Sequence, residues 1–126
     1  MPLVRISLLK GRYEPATRTA LCEAVYKSLR EAFNVPEDDT FAVVHEHGPS
    51  DFVYAQSYLG VAHDDGLVIV QITANEGRTV ELKKALYAAI AEKFEAAGVA
   101  KNNVFINLLE VKKENWSFGD GIAQYA

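Results

Sequence analysis

Two stretches of this chain follow one plan, and any fold must satisfy both. Ile6-Ser7-Leu8-Leu9-Lys10-Gly11-Arg12 is matched by Ile72-Thr73-Ala74-Asn75-Glu76-Gly77-Arg78. Each closes a strand-like run, Leu3 to Leu9 and Leu67 to Thr73. Each then leads into apolar residues at helical spacing. The first set is Leu21, Ala24, Val25, Ser28, Leu29 and Phe33; the second is Leu82, Ala85, Leu86, Ala89, Ile90 and Phe94. A turn and a further strand follow each helix: Val35-Pro36-Glu37-Asp38-Asp39-Thr40-Phe41 parallels Val99-Ala100-Lys101-Asn102-Asn103-Val104-Phe105. Pro36 forbids simple continuation of the first helix, and Gly98 is placed to cap the second. The spacing predicts an α/β (α+β) fold of one domain, 1–126. Its tandem β-α-β repeat spans roughly 2–47 and 67–111, with a tail at 112–126.

Strand-helix-strand connections favour parallel pairing within each half. The expected product is a four-stranded mixed sheet with two helices on one face. Strand parity assigns the faces. Val4, Ile6, Leu8, Ala42, Val44, Val68, Val70, Ile72, Val104, Ile106 and Leu108 should meet the helices. The other face holds Leu3, Arg5, Ser7, Phe41, Val43, His45, Ile69, Gln71, Phe105, Asn107 and Leu109. It is too apolar for water, and two helices already occupied with the first face cannot cover it. Another copy of the chain is the simplest cover. Residues 48–66 carry little periodicity and read as a linker. The tail, with Asn115-Trp116-Ser117-Phe118-Gly119-Asp120-Gly121, suits turns or short strands better than a helix.

The opening Met1-Pro2 bears on chemistry. Pro2 is small enough for Met1 to be trimmed, leaving a secondary amine at the start of an apolar strand. Such an amine can act as general base, general acid or nucleophile; proline is equally tolerated as a plain strand start. The net charge of -4 gives no electrostatic case for nucleic acid or an anionic membrane. No apolar run is long enough to span a membrane, and no signal peptide is evident, so a cytoplasmic protein is expected. Cys22 has no partner for a disulfide and reads as a small core residue. His45 and His47 share a strand face, but no third ligand is placed with them, so no metal is expected.

Taken together, the Met-Pro start, the paired strand-helix-strand units, the Gly77-Arg78 step and the aromatic tail resemble the tautomerase superfamily. The length and the Trp116-Ser117-Phe118-Gly119 segment are similar to its malonate semialdehyde decarboxylase group. The resemblance covers almost the whole chain. It implies a homotrimer without metal or organic cofactor, acting on a small carboxylated carbonyl compound by tautomerisation or decarboxylation. It implies that Pro2 is the catalytic amine and that Asp39 is the acid after the Val-Pro turn. Arg78 would hold the substrate carboxylate, and Trp116 and Phe118 would wall the pocket. Some relatives have two arginines near Arg78. Here Asn75 and Gly77 stand where a second would be sought, with Asn75 a further candidate for substrate binding. That departure bears on decarboxylation more than on tautomerisation. Two other classes share repeated strand-helix-strand units: non-catalytic oligomeric ligand-binding modules of ferredoxin-like type, and cofactor-free oxygenases of the dimeric alpha-plus-beta barrel type. Neither requires a free prolyl amine.

Overall fold

The structure, a computed structural model, describes all residues 1–126. Strand β1 (Leu3–Leu9) leads to helix α1 (Pro15–Phe33) and strand β2 (Ala42–His47). A short hairpin follows, β3 (Ser57–Tyr58) and β4 (Val61–Ala62). The second half repeats the first with β5 (Val68–Asn75), α2 (Val80–Ala96) and β6 (Val104–Val111). The main sheet has the order β2-β1-β5-β6. Pairing is parallel within each half and antiparallel between β1 and β5. This is the four-stranded mixed sheet with two helices that the periodicity predicts.

The register maps onto itself under exchange of the halves. Val4 faces Ile72 and Ile6 faces Val70, as a shift of 66 positions requires. Val4 pairs with Ala42 in one half and Val70 with Ile106 in the other. A pseudo-two-fold axis therefore passes between β1 and β5, and the sheet has two equivalent ends.

Alternation on the strands makes the core. Val4, Ile6, Leu8, Val68, Val70 and Ile72 point to the helical side, where Leu21, Val25 and Leu29 of α1 and Leu86, Ile90 and Phe94 of α2 pack on them. Burying each such side chain stabilises the fold by about 1.5–3 kcal/mol before entropy is counted. Cys22 is only half-buried at the edge of this cluster. On the opposite face Phe41 is 53% exposed, Val43 43%, Phe105 45% and Leu109 58%. The expected apolar second face is thus present and uncovered in the single chain.

The helix ends have local causes. Pro15 opens α1 at a position where its missing N–H costs nothing. α1 stops at Asn34, which takes a left-handed conformation two residues ahead of Pro36. Thr79 caps α2 by accepting a hydrogen bond from the Leu82 N–H. At the far end Gly98 is left-handed, with Gly98 N–H donating to Glu95 O and Val99 N–H to Phe94 O. No helix is long and apolar enough to cross a membrane.

Candidate active site

Register arithmetic determines which groups meet the chain's own amine. β1 pairs with β2 as Val4 with Ala42, and with β5 as Leu3 with Thr73. Continued two or three steps toward the N-terminus, the same register brings Met1 level with Asp39 on one side and Asn75 on the other. The Met1 amine indeed lies 3.8 Å from Asp39 Oδ2, with both side chains largely buried. Pro2, the next residue, is buried at the start of β1.

Asp39 is delivered by the turn between α1 and β2. Its N–H donates to Pro36 O, and the preceding Asp38 has a positive φ and donates its N–H to the Tyr26 hydroxyl. The chain reverses at Asp38, and Asp39 rather than Asp38 faces the amine. Asp39 Oδ1 is fully buried and has no hydrogen-bond partner. Such an atom is costly unless a donor meets it.

Arg78 comes from the other half, where Gly77 turns the chain out of β5 with a positive φ. Its guanidinium donates to Asn75 O at 2.9 Å and to Phe33 O at 3.3 Å, and lies 4.8 Å from the centre of the Phe33 ring. These partners are neutral, and no carboxylate lies within ion-pair distance of it. Its position is therefore fixed while its charge remains available to an anion. Glu110, which accepts the Gly77 N–H at 3.3 Å, is bound to Lys83 at 2.8 Å.

The tail supplies the wall. Trp116 and Phe118 stack with ring centres 5.6 Å apart, and Tyr125 meets Phe118 edge-on at 5.1 Å. Trp116 Nε1–H donates to Asn75 Oδ1 at 2.7 Å. Met1, Leu3, Phe41, Trp116, Ser117 and Phe118 line an open pocket of about 210 Å³. A wider hollow of about 400 Å³ lies between α1 and α2. Its lysines, Lys27 and Lys93, are already paired with Glu23 and Glu31, and it holds no comparable constellation.

Burial depresses the basicity of the Met1 amine below its usual 8.0; Asp39 opposes this, and the charges of Arg78 and Lys113 reinforce it. At this end of the sheet the Met1 amine pairs with Asp39 and feels the charge of Arg78. Trp116, bound to Asn75, and Phe118 line the pocket beside Met1; Asp39, Asn75 and Arg78 lie outside that lining. Sequence reasoning did not place Leu3, Phe41 or Ser117 in the pocket lining, or Lys113 as a second positive charge. Phe41 was legible only as part of the apolar face. Lys113 gave no signal beyond being a lysine beside the tail motif. His45 and His47 lie away from this group, with ring centres 6.4 Å apart and His47 stacked on Phe52.

Two family models, both described as tautomerase enzyme, match the chain over residues 39–119 and 2–62. The probable tautomerase YusQ of Bacillus subtilis (strain 168) is 42% identical over 98% of each chain. A crystal structure of malonate semialdehyde decarboxylase inhibited by 3-bromopropiolate is 37% identical, with a TM-score of 0.90 over 98% of this chain and 93% of that one. A fused 4-OT described as a symmetric trimer is 26% identical, with a TM-score of 0.78 over 98% and 97%. With its repeated halves, its amine-bearing sheet end and these likenesses across nearly its whole length, the chain belongs to the tautomerase superfamily, in the malonate semialdehyde decarboxylase-like group.

Proposed function

We propose that this chain is a cofactor-free enzyme whose working group is the amine of Pro2, freed by removal of Met1. Its substrate is a small carbonyl compound bearing a carboxylate, and the reaction is proton transfer between carbon and oxygen. The observation that carries this reading is the desolvated amine end beside Asp39, within the field of Arg78 and Lys113. Trimming Met1 would move the free amine one residue inward, to the nitrogen of the buried Pro2.

An amine of lowered basicity gives up its proton more readily, and in its neutral form it can act as a base. It takes a proton from carbon next to the carbonyl, and the C–H electron pair moves to oxygen as an enolate. The cations offset the developing charge. The prolyl ammonium pairs with Asp39, whose Oδ1 has no other partner, and then returns the proton to the enolate oxygen. No proton is gained or lost overall. Arg78 holds the carboxylate that orients the reacting carbon, and the Trp116–Phe118 wall excludes water.

The likeness to malonate semialdehyde decarboxylase and the shared aromatic wall favour a second reading, decarboxylation of a β-keto acid. There the bond to the carboxylate breaks, its electrons enter the carbonyl, and carbon dioxide leaves. A protonated amine can donate to the enolate oxygen that forms, or a neutral amine can first condense with the carbonyl to an iminium, releasing water that later hydrolyses it. We also propose that three copies assemble through the apolar sheet face. The exposure of Phe41, Val43, Phe105 and Leu109 supports this, as does the trimeric fused 4-OT. Sedimentation equilibrium checks it, and a stable monomer at micromolar concentration would contradict it.

The test is a screen of protein with Met1 removed, verified by intact mass. The substrates are a phenylpyruvate-type enol, malonate semialdehyde and an acetylenic 2-oxo acid. Ketonisation of the enol is expected to be the fastest reaction. Equal rates for a carboxylated enol and its methyl ester would refute the proposed substrate class.

A further inference from the structure

Past Val111 the chain leaves the sheet and becomes the pocket wall, so something must hold it there. Most of the tail's hydrogen bonds close the tail on itself. Phe118 N–H donates to Gln124 Oε1, Gln124 Nε2 donates to Gly119 O, and Ile122 N–H donates to Gly119 O. Lys113 lies over the Tyr125 ring rather than pairing with an acid of the sheet. Of the tail's side-chain hydrogen bonds, one reaches the body of the protein: Trp116 Nε1–H to Asn75 Oδ1, at 2.7 Å.

The chemistry of that contact fixes the orientation of the amide. An indole nitrogen can only donate, so the Asn75 atom facing it must be the oxygen. The backbone oxygen of the same residue accepts from Arg78 Nη1. Asn75 is the last residue of β5, a strand of the rigid sheet, and level with Val111 where the tail departs. One sheet residue therefore touches both the cation and the aromatic wall.

We infer that Asn75 is a positioning residue: its side chain seats Trp116, and through Trp116 the whole tail, over the amine end at a fixed distance from Arg78. This rests on the reading of the pocket as a substrate site, but the seating itself does not require turnover. Asn75 acts through the indole and the guanidinium rather than on the reacting atoms. Loss of the seat should loosen the wall and weaken substrate retention more than it slows chemistry.

Trp116 is the one tryptophan of the chain, which makes the seat directly visible by fluorescence. The experiment compares the parent, Asn75→Leu, Asn75→Ala and Asn75→Asp as ligand-free proteins, with folding checked by circular dichroism. Leu removes the acceptor at similar volume, and Ala removes it without apolar bulk should Leu prevent folding. Asp restores an acceptor oxygen. Removing the tether is expected to red-shift the emission and to raise acrylamide quenching about twofold or more, since one hydrogen bond is worth roughly fivefold in a local equilibrium. Asn75→Asp is expected to return both signals toward the parent. In kinetics, Asn75→Leu and Trp116→Phe should each raise KM more than they lower kcat, and the double variant should be no worse than either. Parent-like emission and quenching in the folded variants lacking the acceptor would overturn the inference. So would a change that Asp fails to reverse. If the emission responds as expected but the parent turns over no enol or β-keto acid, the seat stands and the proposed function falls.

Discussion

The two ends of the sheet are built on one pattern and have been finished differently. Under the pseudo-two-fold, Arg78 corresponds to Arg12, Asp39 to Asn103, and the Met1-Pro2 start of β1 to Leu67-Val68 at the start of β5. Trp116 corresponds to Phe52, which is buried against His47. At the far end the chain runs on into β5, so its nitrogens are amides and no amine exists. Asn103 exchanges hydrogen bonds with Asp64: its Nδ2 donates to Asp64 Oδ1 at 2.8 Å, and its Oδ1 accepts the Asp64 N–H at 3.2 Å. Asp64 Oδ1 also accepts the Gly66 N–H. Arg12 is paired with Asp65 at 3.5 Å. The arginine and the amide at this end are thus each engaged by an acid of the protein. At the near end Asp39 Oδ1 is unspent, Arg78 faces no carboxylate, and the terminal amine sits 3.8 Å from Asp39 Oδ2. On the proposed reading, the same local architecture serves as a structural joint at one end and as a reactive site at the other.

Among side-chain changes, Arg78→Ala should break the near end most. Losing the carboxylate anchor should cost on the order of 2–5 kcal/mol in kcat/KM for a carboxylated substrate. Its methyl ester should lose far less, and steady-state kinetics on the pair reads the difference. Asp39→Asn comes next. It should lower kcat by roughly one to two powers of ten, the worth of a hydrogen bond to a charged group. Asp39 raises the basicity of the amine, so removing its charge should also move the amine-dependent limb of the pH profile to lower pH.

Arg12→Ala sharpens the contrast by doing little. Its ion pair is exposed, and such pairs are worth about 0.2–1 kcal/mol of stability, visible in denaturant unfolding. Turnover should not change. Asp64→Asn is the mildest change and is legible through pH. Hydrogen bonds from Gly66 and Asn103 hold the Asp64 carboxyl below its usual 3.8. The folded state thus binds fewer protons than the unfolded one around that pH. The stabilisation is fully present above 3.8 and fades as pH falls through the lowered value. The advantage of the parent over Asp64→Asn should shrink along the same course in urea unfolding measured from pH 6 to pH 2.

Much of this contrast can be read in the sequence. Alternation in β1 and β5 and the helical spacing of Leu86, Ile90 and Phe94 are local signals, and they determine the faces and the layers. The end of α1 was harder, because a left-handed Asn34 stops the helix before the more conspicuous Pro36 acts. The β3–β4 hairpin was invisible, since two residues per strand leave no period to detect. Pro2 stood out by itself as a trimmable start, whereas Asp39 and Arg78 could be singled out only through resemblance. What joins them is the register of three strands, a property of the fold rather than of any segment. The Asn75–Trp116 bond spans 41 positions and is likewise non-local. The far end gives a useful check on such reasoning: Gly11-Arg12 reads as well as Gly77-Arg78, and only its pairing with Asp65 reveals that it is closed.

The central claim is that the chain terminus supplies the reactive group which the near end has and the far end lacks. Its most direct test compares two preparations of the unaltered sequence, one with Met1 removed and one expressed where removal is blocked. Both are verified by intact mass and assayed on the same carboxylated enol. Activity is expected to follow the fraction of chains that begin at Pro2 and to vanish when Met1 is retained. Full turnover by chains that still carry Met1 would contradict the account, because Pro2 is then an amide and the near end has no more free prolyl amine than the far one.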